Sequence, residues 1–315
     1  MNILITGGAG YVGTELAHVL DAHDAIDQIL IYDNLSRGNY NLFMEGNFTR
    51  GKISFIQGDI LDQRSLSKAL QGVDLVYHLA AKVTTPYFDR DLHHYEQVNH
   101  WGTTELVSCI RTHNAKENAK GGRTVQKLVY LSSAAVYGFS EENCHEDSPL
   151  QPVSHYGITK LRAEKELDLL RDTCQVHIVR SANIFGYSRS MRFDSVINKF
   201  MFHAHFKKAI QLFGDGRQQR SFISIQYLVY LLSLGADQAN FPALLNAFQF
   251  NYSINEIAFE FIKTLIPELD ILYVNNGFST KGITLESRHG VSNVPPVHSK
   301  DLLEYLREFQ QAFSF

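Results

Sequence analysis

Ile3-Leu4-Ile5-Thr6-Gly7-Gly8-Ala9-Gly10-Tyr11-Val12-Gly13 is the stretch that decides the fold. A short apolar run stops at a glycine-rich turn, and an amphipathic run, Tyr11–Leu20, begins directly after it. This is a strand–turn–helix with the spacing G-x-x-G-x-x-G. Glycines there let backbone N–H groups and the helix N-terminus approach a diphosphate. They could equally close a tight turn, so the next strand matters. Gln28–Asp33 is apolar until it ends in Asp33, twenty residues past Gly13. A carboxylate at that position accepts hydrogen bonds from an adenosine ribose and repels a 2′-phosphate, which favours NAD over NADP. Arg37 lies close enough in sequence to weaken that preference, with a solvated loop charge as its alternative reading. Asp59, at the end of a third strand, could bond an adenine amino group or cap a helix.

The same rhythm continues outward. Ile53–Gln57, Leu75–Ala80, Leu128–Ser132 and Val176–Arg180 read as buried strands, and Arg64–Leu70, Glu96–Thr112 and Tyr156–Arg171 as helices between them. Continuous apolar strands separated by helices predict a doubly wound parallel sheet, the Rossmann arrangement, covered on both faces. The polar stretch Asn114–Arg123 reads as a solvated loop. Beyond Gly186 the alternation breaks. A helix over Phe193–Lys208, β-like Arg220–Ile225, a helix over Tyr227–Leu234, β-like Leu244–Phe248 and Ile271–Val274, and a last helix from Ser299 predict a smaller interleaved α/β part. The expected division is a dinucleotide domain over 1–185 and 221–248, and a substrate domain over 186–220 and 249–315.

Composition narrows the class. The 315 residues carry 29 Lys and Arg against 33 Asp and Glu, a net charge of −4, with 44% hydrophobic residues. That is globular, and it argues against nucleic-acid binding, which needs a basic face. No stretch reaches the length of a membrane span, and no signal segment opens the chain, so a cytoplasmic protein is expected. Cys109, Cys144 and Cys174 are too scattered for a zinc site or a disulfide framework. Fourteen histidines include His93-His94 with His100, and His203 with His205, but their spacing diverges around a helix, so no metal is expected. The aromatic-rich stretches Phe193–Phe206 and Phe248–Phe261 read as core.

A second constellation carries chemistry. Tyr156-Gly157-Ile158-Thr159-Lys160 places a phenol and an ammonium at i and i+4, on one helix face. A nearby ammonium favours phenolate and lowers the tyrosine pKa toward a general acid/base range. Ser132 and Ser133 end a strand at the carboxyl edge of the sheet, where such folds place their sites.

Taken together, these residues resemble the NAD-dependent sugar-nucleotide epimerase/dehydratase family of extended short-chain dehydrogenases/reductases, and among them members similar to UDP-glucose 4-epimerase. The likeness runs through Gly7–Gly13, Asp33-Asn34-Leu35-Ser36, Gly58-Asp59-Ile60, His78-Leu79-Ala80-Ala81, Asn99, Ser132–Gly138, Tyr156–Lys160, Arg180–Gly186, Phe213–Gly216 and Arg220–Ile223. It implies Ser133, Tyr156 and Lys160 as the catalytic set. It implies that Gly7, Gly10, Tyr11, Val12, Gly13, Asp33, Asn34, Asp59, Ile60, Leu79, Ala80, Ala81 and Asn99, with Tyr156 and Lys160, bind NAD. Ser133, Asn183, Lys199, Arg220 and Arg288 are implied to meet a nucleotide-diphosphate sugar. Where the family's 4,6-dehydratases resemble one another in acidic residues after the catalytic hydroxyl, this chain has Ala134 and Ala135, so it looks most like the 4-epimerases. Ser224-Ile225-Gln226-Tyr227 departs from the family's valine and two aspartates. The resemblance also implies a homodimer paired through the helices Glu96–Thr112 and Tyr156–Arg171. The alternatives are an NAD(P)H-dependent nucleotide-sugar 4-ketoreductase and an inactive NAD-binding sensor.

Overall fold

The computed structural model describes residues 1–44, 51–83, 92–237, 241–274, 282–288 and 300–313. Seven strands form one parallel sheet: β1 (Asn2–Thr6), β2 (Gln28–Asp33), β3 (Ile53–Gln57), β4 (Leu75–His78), β5 (Lys127–Ser133), β6 (Gln175–Ser181) and β10 (Leu244–Ala247). Their order is β10-β6-β5-β4-β1-β2-β3, so the strand order reverses between β1 and β4. Ile3 pairs with both Ile29 and Leu75, which places the glycine turn after β1 at that reversal. Ligands of doubly wound sheets sit outside the strand ends at this switch point.

Side-chain alternation in β1 sorts the two faces. Ile3 and Ile5 pack with α1 (Tyr11–Asp21) and with Leu228 and Leu232 of a helix over Ile225–Asp237. Leu4 faces the other core, with Leu66 of α2 (Gln63–Ala69), Leu106 of α3 (Gly102–Asn118) and Leu167 of α4 (His155–Leu167). A third core gathers Phe185, Phe200, Phe222, Phe250 and Phe309 around the remaining strands. These are β7 (Asn183–Phe185), β9 (Gln219–Ser224) and β11 (Phe250–Ser253) in one small sheet, and β8 (Ala209–Phe213) paired with β12 (Asp270–Val274). The helix α5 (Val196–Lys207), the helix over Ile225–Asp237, numbered α6, and α7 (Leu302–Gln311) complete the elements used below. The aromatic stretches contribute Phe200 and Phe250 to this core, as their spacing suggests.

Several boundaries differ from the sequence expectations, three of them for a local reason or with a local consequence, and the expected start of the last helix, Ser299, lies outside the described residues. The expected loop over 114–123 starts later, because α3 runs to Asn118. The reason is Asn114, whose buried amide accepts from Val125 N at 2.9 Å and donates to Val125 O at 2.8 Å, tying the helix end to the chain leading into β5. The helix expected over Glu96–Thr112 opens with a π-helical turn, Glu96–Trp101. The helix expected from Phe193 begins at Val196, with Ser195 as its N-cap, which leaves Arg192 and Asp194 in a loop.

Among the described residues, no helix is long and apolar enough to cross a membrane, and no group of three His, Cys, Asp or Glu side chains is placed to hold a metal.

Candidate active site

The switch point opens into a cavity of about 570 Å³. Its dinucleotide end is made by Gly7, Gly10, Tyr11, Val12 and Gly13, with Asp33, Asn34, Ile60, Leu79, Ala80 and Ala81 around them. Two glycines explain why the loop has its composition. Gly7 sits at φ +71°, and a Cβ there would lie 2.6 Å from Ala80 Cα. A Cβ at Gly13 would lie 2.5 Å from Gly8 Cα. The loop thus packs backbone on backbone and leaves the first turn of α1 open to an anion. Asp33 is held by backbone donors, Ala9 N at 3.1 Å and Leu35 N at 2.8 Å. Burial pushes its carboxyl up and these bonds oppose that. This cradle fits a dinucleotide diphosphate and ribose. Arg37 also lines the cavity.

Asp59 and Asn99 take other places. Asp59 is exposed and does not line the cavity; it accepts from Asn34 Nδ2 at 2.9 Å and from Leu61 N at 3.0 Å. The helix cap that Asp59 might have been is Asp62, which accepts from Arg64 N and Ser65 N. Asn99 is buried behind the wall. Its amide clamps Lys82, accepting from the N–H at 2.8 Å and donating to the carbonyl at 2.9 Å, and also donates to Thr159. It holds the Ala80–Lys82 turn from behind.

At the other end, Ser133 comes from the tip of β5, while Tyr156 and Lys160 come from the first turns of α4, and all three line the cavity. Ser154 caps α4 by accepting from Gly157 N at 3.0 Å, which fixes where the helix starts and so where Tyr156 points. The Ser133 hydroxyl accepts from Ala135 N at 3.2 Å and stands close enough to the Tyr156 phenol to favour its phenolate form. Ser133 thus caps the short turn after β5 and also lines the cavity.

The Tyr156–Lys160 pair needs correcting. Burial raises the phenol pKa, and the cation opposing that rise is Arg192, with the nearby Ser133 hydroxyl acting in the same direction. Lys160 is itself buried, donates to Leu131 O at 2.8 Å and lies 4.5 Å above the Tyr130 ring. Burial brings its pKa down to about 7, against the pull of Glu164 one turn on. Desolvation has thus outweighed the mutual help expected of the pair. Glu164 is in turn occupied by Arg180 at 2.7 Å, an ion pair buried on both sides, and by Ser132.

The substrate side joins distant segments. Asn183, Arg220, Ser221 and Ile283 line it, with Asn183 Nδ2 donating to Ser221 O at 3.0 Å. Burial lowers the Arg220 pKa, so its charge sits in a poorly solvated wall. Lys199 and Arg288 do not line the cavity. The Lys199 ammonium lies 5.7 Å from the Phe213 ring centroid, while Arg288 is exposed, with its N–H donating to Glu146. Arg192, Asp194 and Ser195 line the cavity too and, like Ile283, were not singled out from sequence. Arg192 and Asp194 pair at 2.5 Å. The Ser195 hydroxyl is buried with no partner among the described residues. A serine before an apolar helical run is a readable cap signal, but nothing local says that the cap faces a cavity.

Residues 3–240 match the model of the NAD dependent epimerase/dehydratase family. The chain belongs to that family. As its description makes it NAD-dependent, the dinucleotide for the Gly7–Gly13 cradle is NAD. Among curated relatives, an uncharacterised UDP-glucose epimerase of Bacillus subtilis is 28% identical over 229 residues, 71% of this chain and 69% of its own length. The dTDP-D-glucose 4,6-dehydratase of Mus musculus is 30% identical over 231 residues, 70% of this chain and 60% of its own. In fold, the UDP-glucuronic acid 4-epimerase of Bacillus cereus, solved with UDP-glucuronic acid and NAD, covers 99% of this chain and 98% of its own at TM-score 0.82 and 22% identity. A UDP-N-acetylglucosamine 4-epimerase from Methanobrevibacter ruminantium matches at TM-score 0.80 and 25% identity, covering 99% and 97% of the two chains. Epimerases and dehydratases are thus both near.

Proposed function

We propose that the protein is a nucleotide-sugar epimerase acting at C4 through a transient 4-keto sugar. The observation that carries this reading is at Ala134 and Ala135. They line the cavity beside Ser133, where the resemblance gives dehydratases acidic residues, and they have no group that moves a proton. The carboxylates lining the cavity among the described residues are Asp33, at the dinucleotide end, and Asp194, paired with Arg192. Neither stands beside Ser133 in the chain to take the missing role.

NAD bound there would supply a reversible hydride acceptor for the sugar carbon. Gly7, Gly10 and Gly13 would hold its diphosphate and Asp33 its ribose, with Lys160 and Tyr156 at the nicotinamide end. Tyr156, as phenolate, takes the proton of the C4 hydroxyl and later gives it back. Ser133, beside the phenol, orients that exchange, and the Arg192 cation favours the phenolate. Arg220, with the amides that begin α5, suits the substrate diphosphate. A homodimer would pair the outer faces of α3 and α4, where Arg162 bonds Glu96 at 2.7 Å and Trp101 is half exposed.

The test begins with the dinucleotide released from freshly purified protein. Near-stoichiometric NAD, followed by interconversion within a panel of UDP-, dTDP-, GDP- and CDP-sugars without added cofactor, is the expected result. Net oxidation of reduced cofactor by a keto sugar, with no epimer formed, makes the protein a ketoreductase instead. Tyr156→Phe should keep its NAD and lose turnover by roughly 10²–10⁴. Near-normal turnover in that variant would sink the mechanism.

A further inference from the structure

Two helix N-termini open on the same cavity. One is that of α1, behind the glycine loop; the other is that of α5, beside Ser195 and Arg192. A buried set of polar groups joins them. The Tyr11 hydroxyl donates to Gly186 O at 2.7 Å and accepts from Asn198 Nδ2 at 3.1 Å. Asn198, on the first turn of α5 and fully buried, spends its second amide hydrogen on Arg192 O at 2.8 Å. Its Oδ1 accepts from Gly186 N at 2.9 Å. Beside this pair Ser188 donates to Tyr11 O at 3.0 Å, Thr14 and Ser190 share a 2.8 Å bond, and Arg189 bonds Glu15.

Space alone does not call for this arrangement. An apolar side chain at 198 could fill the same volume, whereas an amide with three buried partners specifies where each must stand. What it specifies is the path of residues 186–195, a stretch without helix after β7 ends at Phe185, and with it the backbone of Arg192. For hydride transfer between a dinucleotide and a sugar nucleotide in one cavity, the two diphosphates must keep a fixed separation. A misplacement near 1 Å can cost about a hundredfold in rate.

We infer that Tyr11 and Asn198 are positioning residues that set the spacing between the dinucleotide-binding end of α1 and the substrate-facing segment 186–195. This rests on the nucleotide-sugar reading above. The phenol of Tyr11 then serves the substrate side, although its backbone belongs to the cofactor loop.

The test compares Tyr11→Phe and Asn198→Ala with Tyr77→Phe, which removes an equally buried phenol bond, 2.8 Å to Leu232 O, elsewhere in the core. NAD content is read on purified protein, affinity for UDP and dTDP by calorimetry on NAD-loaded protein, and kcat and KM where turnover is found. Tyr11→Phe and Asn198→Ala should retain NAD, bind the diphosphate about tenfold more weakly and lose kcat/KM by tenfold or more. Tyr77→Phe should lose only thermal stability. If Tyr11→Phe behaves like Tyr77→Phe, or sheds NAD in step with the diphosphate, the role is merely structural and the inference falls. Should Asn198→Ala not fold, Tyr11→Phe alone decides. A wild type that binds UDP or dTDP but epimerises nothing overturns the proposed function and leaves the spacing role to be judged by affinity. A wild type that binds neither diphosphate overturns both.

Discussion

At the dinucleotide end of the cavity the wall is largely set by backbone at the glycine loop, and its segments, the turn after β1, the tip of β2 and the turn after β4, follow three strands of one sheet. At the substrate end the walls are side chains from β7, the loop before α5, β9 and the short segment at Ile283, about a hundred residues apart from first to last. At Gly7 and Gly13 the first end has no room for a side chain larger than hydrogen. The second is constrained by where four separate segments happen to meet. Backbone-on-backbone packing leaves a fixed-length signature in the sequence, whereas convergence of distant side chains leaves none.

The largest expected effect tests the backbone end. Gly7→Ala puts a methyl 2.6 Å from Ala80 Cα at a positive φ, so the loop must move. NAD should be absent from the purified variant. An NAD content equal to wild type would show that the cradle tolerates side chains and would erase the contrast. Next comes Arg220→Ala at the side-chain end. Removing one charge-assisted contact to a diphosphate should raise KM by about tenfold to a hundredfold, at roughly 1.5–3 kcal/mol, with NAD retained. Loss of NAD in that variant would mean that the two ends are not separable.

Acidity sharpens the same comparison from within the sheet. His78 is fully buried between Thr6 and Thr103, at 2.7 and 2.9 Å, and burial brings its pKa down to about 3. The unfolded chain takes up this proton near pH 6.5 and the native chain does not, so stability should fall as pH drops from about 6.5 toward 3. Lys160 acts at the other extreme. With a native pKa of about 7 against 10.5 unfolded, its cation opposes folding, and stability should rise with pH across that window. Chemical denaturation of wild type and Lys160→Met at pH 7 and pH 10 checks this: the variant should lack the Lys160 part of the rise. The smallest effect belongs to Arg288→Ala. Its side chain is exposed and off the cavity, so KM should stay within about twofold, as surface charges contribute only tenths of a kcal/mol.

The sheet was legible because its strands are continuous apolar runs, and β1, β2 and β3 have the boundaries read from sequence. Gly7, Asp33, Ser133, Tyr156 and Lys160 were legible as types at fixed spacings, and the fold gathers them into one cavity. What was not legible concerns environment. The lysine at i+4 predicts an acidic phenol, but spacing says nothing of the burial that raises Tyr156 and lowers Lys160. Lys199 resembled a substrate contact by position alone, whereas the helix phase turns it toward Phe213 and turns Asn198 inward. Arg192 lies in a loop without periodicity, so its approach to the cavity has no local signal.

The short segment at 282–286 has a consequence for how the protein is made. Ile283 N bonds Gln219 O, Cys144 N bonds Thr284 O and Leu285 N bonds the Ser221 hydroxyl, so this late stretch of chain joins β9 to the loop after β5 and supplies Ile283 to the cavity wall. On the ribosome, where chains grow at about 5–20 residues per second and N-terminal parts fold first, the glycine cradle and β1 through β6 emerge several seconds before Ile283 does. A nascent chain therefore has the parts to capture its dinucleotide while one wall at the other end of the cavity is still unsynthesised. Order of birth separates the two binding events that the finished cavity brings together.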